Sequence, residues 1–286
     1  MVKLRRGGGL SGNLEDRRGR GGLALGGGAV GIIGLIVSLL LSGGGGGGGF
    51  DIEDVFSQVQ GAPSGTVDPA DEPLVEEMSA ALDDIQASWE EHPDVGSAYR
   101  RATLVLFTDA VSTEGCGSAS AAVGPFYCPA DEHAYLDLSF FRELDDRFGA
   151  PGDFARVYVL AHELGHHVQN LLGDNQRVRD AQEADPGRAN ELSVRLELQA
   201  DCYAGIWGHS AQDRGLIEPG DLAEGLAAAA AIGDDRLQGQ SGRDVQTDSW
   251  THGSSEARQR WFRAGFERGG LEACDTFAAS TADLGL

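Results

Sequence analysis

The stretch "VLAHELGHHVQNLLG", Val159–Gly173, contains three histidines and one glutamate within six residues. Asp153, which precedes it, is a good N-cap, and the glycine that ends it is typical of the residue that follows a helix. Its apolar residues recur at helical spacing and share one face. The pattern therefore predicts a helix over about residues 154–172 with one buried face.

Two of the histidines, His162 and His166, lie one turn apart, about 40° from each other around the axis and opposite the apolar face. Glu163 lies beside them, which gives the motif H-E-x-x-H, in which two imidazoles bind one Zn²⁺. The glutamate is then placed to act as general base toward a water at the metal. His167 lies on the shoulder of the apolar face, and we expect it to be structural or to support a ligand. The alternative is a helix whose histidines are solvated or satisfied in the core, and a third ligand would weaken that alternative.

A third metal ligand is expected in the stretch "RLELQADCYAGIW", Arg195–Trp207. The metzincin pattern, with glycine at 169 and histidine at 172, is excluded because Gln169 and Leu172 stand there. Glu197 and Asp201 lie one turn apart on one face of a helical pattern. We expect Glu197 to bind the metal and Asp201 to accept the free N–H of a ligating imidazole. A solvated acidic face is the alternative, but apolar residues surround the pair.

The composition excludes one class of function. The chain has 286 residues, of which 41% are hydrophobic, enough for one large domain or two small ones with a sizeable core. Its net charge of −23 argues against nucleic-acid binding, which needs a basic surface to neutralise phosphates. We therefore expect no nucleic-acid partner, and the oligomeric state stays unknown from the sequence.

The first 72 residues predict a membrane anchor and a linker. Residues 1–22 are basic, residues 23–42 carry no charged side chain, and residues 43–72 are Gly-rich and then acidic. About 20 residues at about 1.5 Å each cross a hydrocarbon core of about 30 Å, and basic residues stay on the cytoplasmic side. We expect a cytoplasmic tail, a single-pass transmembrane signal anchor in the cytoplasmic membrane, a linker, and an extracytoplasmic domain over 73–286. A cleaved signal peptide and a Gly-rich buried helix are the alternatives.

The four cysteines fit an oxidising compartment, in which disulfides persist. Cys116 and Cys128 flank a short loop and are expected to pair, which leaves Cys202 to pair with Cys274. Thiolate metal ligands are the competing interpretation, but no C-x-x-C spacing is present.

Secondary-structure patterns elsewhere predict a small sheet within a mostly helical chain. Apolar residues recur at helical spacing in Glu72–His92. Two β-like runs follow, Ala102–Phe107 and His133–Phe141, and the pattern after them is nearly all helical.

Several blocks of the chain resemble the bacterial neutral zinc metallopeptidase family of membrane-anchored proteins. The blocks are "HELGHHVQNLLG", "ELQADCYAGIW", "NLEDRRG" (Asn13–Gly19), "GCGSASAAVGPFYCPADEHAYLDLSFF" (Gly115–Phe141) and "THGSSEARQRWFRAGF" (Thr251–Phe266). The H-E-x-x-H with a downstream E-x-x-A-D is also similar to that of the gluzincins, notably the integral-membrane metallopeptidases. The chain departs from these in having one Gly-rich apolar stretch, so we expect a tethered outward-facing domain and no intramembrane proteolysis.

The resemblance implies the roles of five residues. His162, His166 and Glu197 would bind one Zn²⁺, with Glu163 as base and Asp201 as support for a ligand. The expected fold class is therefore α+β, a mostly α-helical zincin-like metallopeptidase domain with a small β-sheet, preceded by a single transmembrane helix and a Gly-rich linker.

The segment "HGSSEARQRWF", His252–Phe262, offers a donor for the oxyanion that peptide hydrolysis creates. Its candidates are His252, Arg258 and Arg260, and membrane gluzincins have a similar segment near the active site, which favours His252. The serines at the start of the segment are expected to cap a helix over 256–267. The strand "YLDLSF" is a further candidate, as the edge along which an extended substrate pairs.

The patterns together predict a zinc endopeptidase that acts on polypeptides outside the cytoplasmic membrane, with Glu163 as general base. The first alternative is a non-catalytic, zinc-stabilised binding or scaffold domain at the cell envelope. The second is metal-dependent hydrolysis of a non-peptide bond, such as a cell-wall amide.

Overall fold

In the computed structural model, which describes residues 2–4, 9–19, 67–240 and 246–286, the strands lie in the first half of the chain and most helices follow them. The strands are β1 (Leu14–Asp16), β2 (Thr103–Phe107), β3 (Ala110–Ser112), β4 (Ser118–Ser120), β5 (Phe126–Cys128) and β6 (His133–Asp137). The helices are α1 (Glu72–Glu91), α2 (Ser139–Asp146), α3 (Asp153–Leu172), α4 (Asp174–Ala184), α5 (Ala189–Asp213), α6 (Asp221–Ala231), α7 (Asp234–Gln240), α8 (Ser255–Arg268) and α9 (Thr281–Leu284).

Four strands form a sheet in the order β1-β2-β6-β5. The strand β2 lies parallel to β1 and β6, β5 runs antiparallel to β6, and β3 and β4 form a separate antiparallel hairpin. The predicted strand His133–Phe141 ends at Asp137, because the carboxylate of Asp137 accepts the N–H of Ser139, where α2 begins. Since β6 is an inner strand of this order, the suggested edge role of "YLDLSF" is wrong, and the outer strands of the sheet are β1 and β5.

The helix α3 lies at the centre of the fold. It begins at Asp153 and ends at Leu172, close to the predicted limits, and Gly173 follows with a left-handed φ of 81°. It packs against α1, α5, α6, β5 and β6. Because neighbours surround it, nearly all of residues 154–169 are buried, and not one face alone as we expected. Both histidines of the H-E-x-x-H motif therefore lie inside the protein.

The helices α5 and α8 cross backbone to backbone at two glycines. A Cβ atom on Gly205 would lie 2.1 Å from the carbonyl oxygen of Phe262, and one on Gly265 would lie 1.9 Å from that of Cys202. No larger residue fits at either position without moving the helices apart. This close crossing brings side chains of α5 and α8 into direct contact beneath α3.

Both predicted disulfides are confirmed. Cys116 pairs with Cys128 beside the sheet, with a Cα–Cα distance of 5.9 Å. Cys202 pairs with Cys274 at a Cα–Cα distance of 5.5 Å, which joins α5 to the turn after α8. The second bridge closes the larger loop. It ties α5 to the segment that follows α8 and so helps to hold the crossing of these two helices.

The described N-terminal residues, 2–4 and 9–19, belong to the folded domain. The strand β1 pairs with β2 along three residues, and Val2 lies in the main apolar core. The side chain of Arg18 is 3% exposed and binds both Asp16 and Glu72 at 2.8 Å. The strand β1, which lies within the expected cytoplasmic tail, residues 1–22, is thus part of the same sheet as β2.

The expected fold class needs a further correction. Within the part of the chain that the structure describes, no helix is both long and apolar enough to cross a membrane. The structure thus supports a mostly helical α+β domain, and the transmembrane helix that we expected in front of it is not supported. The stretch 23–42 and most of the linker, 43–72, lie outside the described residues.

Replacing Gly265 by alanine is expected to lower the free energy of unfolding by about 2–3 kcal/mol, because the new methyl group would overlap the backbone of α5. The matched control is Gly239→Ala, in α7, where a Cβ atom meets nothing within 4 Å. The control should be neutral or stabilising by up to about 1 kcal/mol, since alanine favours helices over glycine. Urea denaturation of the full-length variants measures both effects, and equal stabilities would contradict the close crossing.

Candidate active site

Three candidate ligands from two helices converge inside the protein. His162 and His166 of α3 each direct Nε2 toward the carboxylate of Glu197 on α5, at distances of 3.3 Å and 3.5 Å. All three ligand atoms lie within 4.8 Å of one another, and each side chain is at most 10% exposed. The helices come this close because Gly165 stands between the histidines: a Cβ there would lie 2.9 Å from the carbonyl oxygen of Ala200.

The donor set fits a zinc ion. Two imidazole nitrogens and one carboxylate oxygen form a ligand set found in catalytic zinc sites. Ligand atoms about 2.1 Å from a tetrahedral ion lie about 3.4 Å apart, which agrees with the two His–Glu distances of 3.3 Å and 3.5 Å. Nε2 of His166 is buried and has no hydrogen-bond partner. The same is true of Oε2 of Glu163. Buried polar atoms are seldom left unsatisfied, so these two atoms indicate a missing partner between them.

Each imidazole is held by a hydrogen bond from its other nitrogen. Nδ1 of His162 lies 2.9 Å from Oδ1 of Asp201, and Nδ1 of His166 lies 2.8 Å from Oε1 of Gln169. Oxygen acceptors at both Nδ1 atoms place the ring protons there and leave both Nε2 lone pairs for the metal. Asp201 thus lies where the sequence placed it. Gln169 was missed as a partner, although its position three residues after His166 on the same helix was the available signal.

The carboxylate of Asp201 is the most heavily bonded group of the site. Arg258 of α8 donates to it from Nε and Nη2, each at 2.8 Å, and Tyr158 donates its hydroxyl hydrogen to Oδ1. Both Asp201 and Arg258 are at most 1% exposed. Burial would raise the pKa of Asp201, but Arg258 and His162 outweigh it and hold the pKa below its ordinary value. Asp201 is therefore a buried anion that links α3, α5 and α8.

Neither candidate arginine is available as an oxyanion donor in the way we expected. Arg258 is committed to Asp201, and Arg260 lies at the surface, where it binds Glu256 and the carbonyl oxygen of Asp283. Its side chain is 43% exposed. The helix α8 does begin near the predicted limit, and the hydroxyl of Ser254 caps it by accepting the N–H of Ala257.

The carboxyl group of Glu163 lies next to the three candidate ligands. The residue is 7% exposed. Burial raises the pKa of Glu163 to about 7, and the nearby carboxylate of Glu197 adds to this, while His162 opposes it. A carboxyl group with a pKa near neutrality is suited to take up and return a proton.

The structure brings His252 to the same site from the loop before α8. Its charge acts to lower the pKa of Glu163 and of Glu197, although burial keeps the pKa of Glu163 raised overall. Its Nδ1 lies 3.2 Å from Oδ1 of Asp234. Burial lowers the pKa of His252, but Asp234 and Glu197 outweigh it, so the pKa lies above its ordinary value.

The third histidine of the motif, His167, has a structural position. It is fully buried and its Nε2 donates to the carbonyl oxygen of Arg100 at 2.6 Å. Its Nδ1 then accepts the hydroxyl hydrogen of Tyr127 at 2.9 Å. The ring thus joins α3 to β5 and to the loop before β2. The hydroxyl group of Tyr127 is therefore engaged by His167.

A second group of carboxylates, Asp153, Asp221 and Glu224, also converges. Its members serve the start of α3, where Glu224 accepts the N–H of Phe154 at 3.1 Å and Asp153 accepts the N–H of Val2. The group contains no nitrogen donor. The histidine-containing group is therefore the better candidate for a zinc site.

Comparison with known proteins agrees with this geometry. A family described as "Putative neutral zinc metallopeptidase" matches residues 3–277. The uncharacterized protein YpfJ of Escherichia coli (strain K12) is 45% identical over 94% of this chain and 97% of its own length. An uncharacterized protein of Mycobacterium tuberculosis (strain H37Rv) is 50% identical over 65% of each chain. No solved structure matches the chain.

Replacing Arg258 by alanine is expected to cost about 3–5 kcal/mol of stability, because it leaves the buried carboxylate of Asp201 without its cation. Arg260→Ala is the matched control, two residues along the same helix. It removes only surface contacts and should change stability by less than about 0.5 kcal/mol. Thermal and urea denaturation of both full-length variants measures the difference. A stable Arg258→Ala protein would show that Asp201 is not held as an anion.

Proposed function

Because the chain belongs to the neutral zinc metallopeptidase family, we propose that it is a zinc-dependent endopeptidase with Glu163 as general base. One observation carries the proposal. The Nε2 atoms of His162 and His166 and the carboxylate of Glu197 converge beside Glu163, and two buried polar atoms there have no hydrogen-bond partner. A polypeptide substrate is the class that a peptidase family indicates.

Three residues would hold the metal, His162 and His166 through Nε2 and Glu197 through its carboxylate. When bound, a zinc ion at such a site polarises the substrate carbonyl and acidifies a water. We propose one ion, because the three ligand atoms lie within 4.8 Å of one another and so surround a single position.

Glu163 moves the protons of the reaction. Its buried carboxylate, with Oε2 unpartnered, takes a proton from the attacking water and returns it to the amine that leaves. The surrounding protein excludes bulk water from this group, which keeps its basicity close to that required at neutral pH.

His252 stabilises the negative charge that develops on the carbonyl oxygen of the substrate. The carboxylates of Asp234 and Glu197 favour its protonated form, in which the ring can donate to that oxygen. Loss of one such donor typically slows the chemical step by about 10²–10³-fold. The assignment is supported by the position of the ring next to Glu163 and Glu197.

Two alternatives make different predictions. A zinc-stabilised scaffold domain needs the three ligands but has no use for a buried, unpartnered Glu163. Hydrolysis of a non-peptide amide would use the same residues, so only the substrate separates it from the proposal.

The outward location of the domain stays a prediction, and the two disulfides support an oxidising compartment.

Glu163→Gln is expected to slow the cleavage of a broad peptide library by about 10²–10⁴-fold and to leave zinc bound. The amide keeps the volume of the side chain but cannot accept the proton. Full-length protein, purified with its metal, is measured by metal analysis and by cleavage in parallel. Glu267→Gln, at the exposed end of α8, is the matched control and should behave as the parent chain does.

Glu197→Ala is expected to weaken zinc binding by at least about 100-fold, since two imidazoles alone make an incomplete site. Competition with a zinc chelator measures this affinity. Unchanged affinity would remove Glu197 from the ligand set.

Stoichiometric zinc with no cleavage in either the parent chain or the Glu163 variant would favour the scaffold domain. Cleavage that persists in Glu163→Gln would contradict the proposed base.

A further inference from the structure

The loop that carries His252 is held by a single carboxylate, that of Asp234 at the start of α7. Its Oδ2 accepts three consecutive backbone N–H groups, those of Thr251 at 2.8 Å, His252 at 2.7 Å and Gly253 at 2.9 Å. The N–H of Asp234 in turn donates to the carbonyl oxygen of Gly253 at 2.9 Å. Asp234 is 1% exposed, so these bonds form away from bulk water.

The other oxygen of Asp234 faces the imidazole of His252. Oδ1 lies 3.2 Å from Nδ1. A carboxylate can only accept, so Nδ1 carries the hydrogen and donates it. Nε2, on the other side of the ring, is then the atom left for a substrate. The carboxylate of Asp234 thereby binds both the backbone of the loop and the ring, whose Nδ1 also lies 3.2 Å from the hydroxyl of Thr251.

The loop also has a defined position against the helix that carries Glu197. Gly253 has a left-handed φ of 89°, and a Cβ there would lie 3.2 Å from Val194 and 3.3 Å from Leu198 of α5. Leu198 adjoins Glu197 in the chain. Movement of the loop would therefore displace the ring of His252 relative to the candidate zinc ligand.

The charged groups that face His252 come from four helices: Asp234 of α7, Glu197 of α5, Arg258 of α8 and Glu163 of α3. Of these four groups, Asp234 is the one that accepts a hydrogen bond from the ring. Burial raises the pKa of Asp234, but the bonds from His252 and the loop outweigh it, and Asp234 stays ionised.

We propose that Asp234 is the positioning residue of His252, which orients Nε2 toward the carbonyl oxygen of the substrate. The inference rests on the proposed function, because it assumes that His252 acts on a substrate there. Asp234 itself does not touch the reacting atoms. Its contribution is therefore expected in kcat and in the state of the His252 ring, and not in the metal content.

The test uses Asp234→Asn in the full-length, metal-loaded protein. The amide oxygen can still accept the three backbone N–H groups, and the amide NH₂ then faces Nδ1, where two donors oppose each other. We expect kcat for a library peptide to fall about 10- to 100-fold with KM and zinc content little changed. Asp235→Asn is the matched control, because Asp235 binds the backbone and hydroxyl of Ser255 and not His252.

A double-mutant cycle separates positioning from general stability. In a His252→Ala background, Asp234→Asn should cost no further activity, since there is no ring left to orient. An additive loss would overturn the proposal, as would an equal loss in Asp235→Asn. Thermal denaturation of each variant identifies any loss that comes from unfolding.

A second measurement does not depend on activity. Nitrogen-15 chemical shifts of the His252 ring should show a protonated Nδ1 in the parent chain and a changed state in Asp234→Asn. An unprotonated Nδ1 in the parent chain would overturn the proposal even if Asp234→Asn failed to fold. If the ring has the expected state but no peptide is cleaved, the proposed function fails, and with it the role of Nε2 toward a substrate, whereas the hydrogen bond from His252 to Asp234 stands.

Discussion

The buried ion pair between Asp201 and Arg258 is the interaction on which the site depends. Each partner alone would be costly to bury, and the pair is tolerated because every strong donor nearby is used. Asp201 receives hydrogen bonds from Arg258, Tyr158 and His162, which belong to α8 and α3. The pair thus fixes the positions of α3, α5 and α8 relative to one another. The carboxylate of Asp201 also orients the imidazole of His162. Stability and metal geometry are coupled at this point.

The sequence predicted the part of the site that depends on local geometry. His162, His166 and Glu163 follow from helical spacing alone, and the same spacing argument applies to Glu197 and Asp201 on α5. Arg258 could be named as a candidate, but its role as the partner of Asp201 could not, because the two lie 57 residues apart and meet only through the crossing of α5 and α8. That crossing rests on glycines, which carry no periodic signal of their own.

The N-terminal strand shows a different limit. The three residues of β1 are too few to display alternation, and their setting among arginines and glycines is typical of a tail. Their partner β2 lies about ninety residues further along the chain. Only the pairing, with the buried contacts of Arg18, reveals that this segment completes the sheet.

The imidazoles of His162, His166 and His252 are each held by a hydrogen bond at Nδ1, but the accepting groups differ in kind. Carboxylates hold Nδ1 of His162 and of His252, whereas the amide of Gln169 holds Nδ1 of His166. An amide oxygen orients a ring without adding charge, and Gln169 is itself fixed by Leu196 and Gln199 of α5. Asp201, Asp234, Glu163 and Glu197, when ionised, already exceed by one the charge that one divalent ion and Arg258 would balance, and a third orienting carboxylate would enlarge that surplus. The amide of Gln169 therefore keeps His166 oriented without adding negative charge. The surplus of negative charge then stays small enough to favour a single cation and a protonated His252.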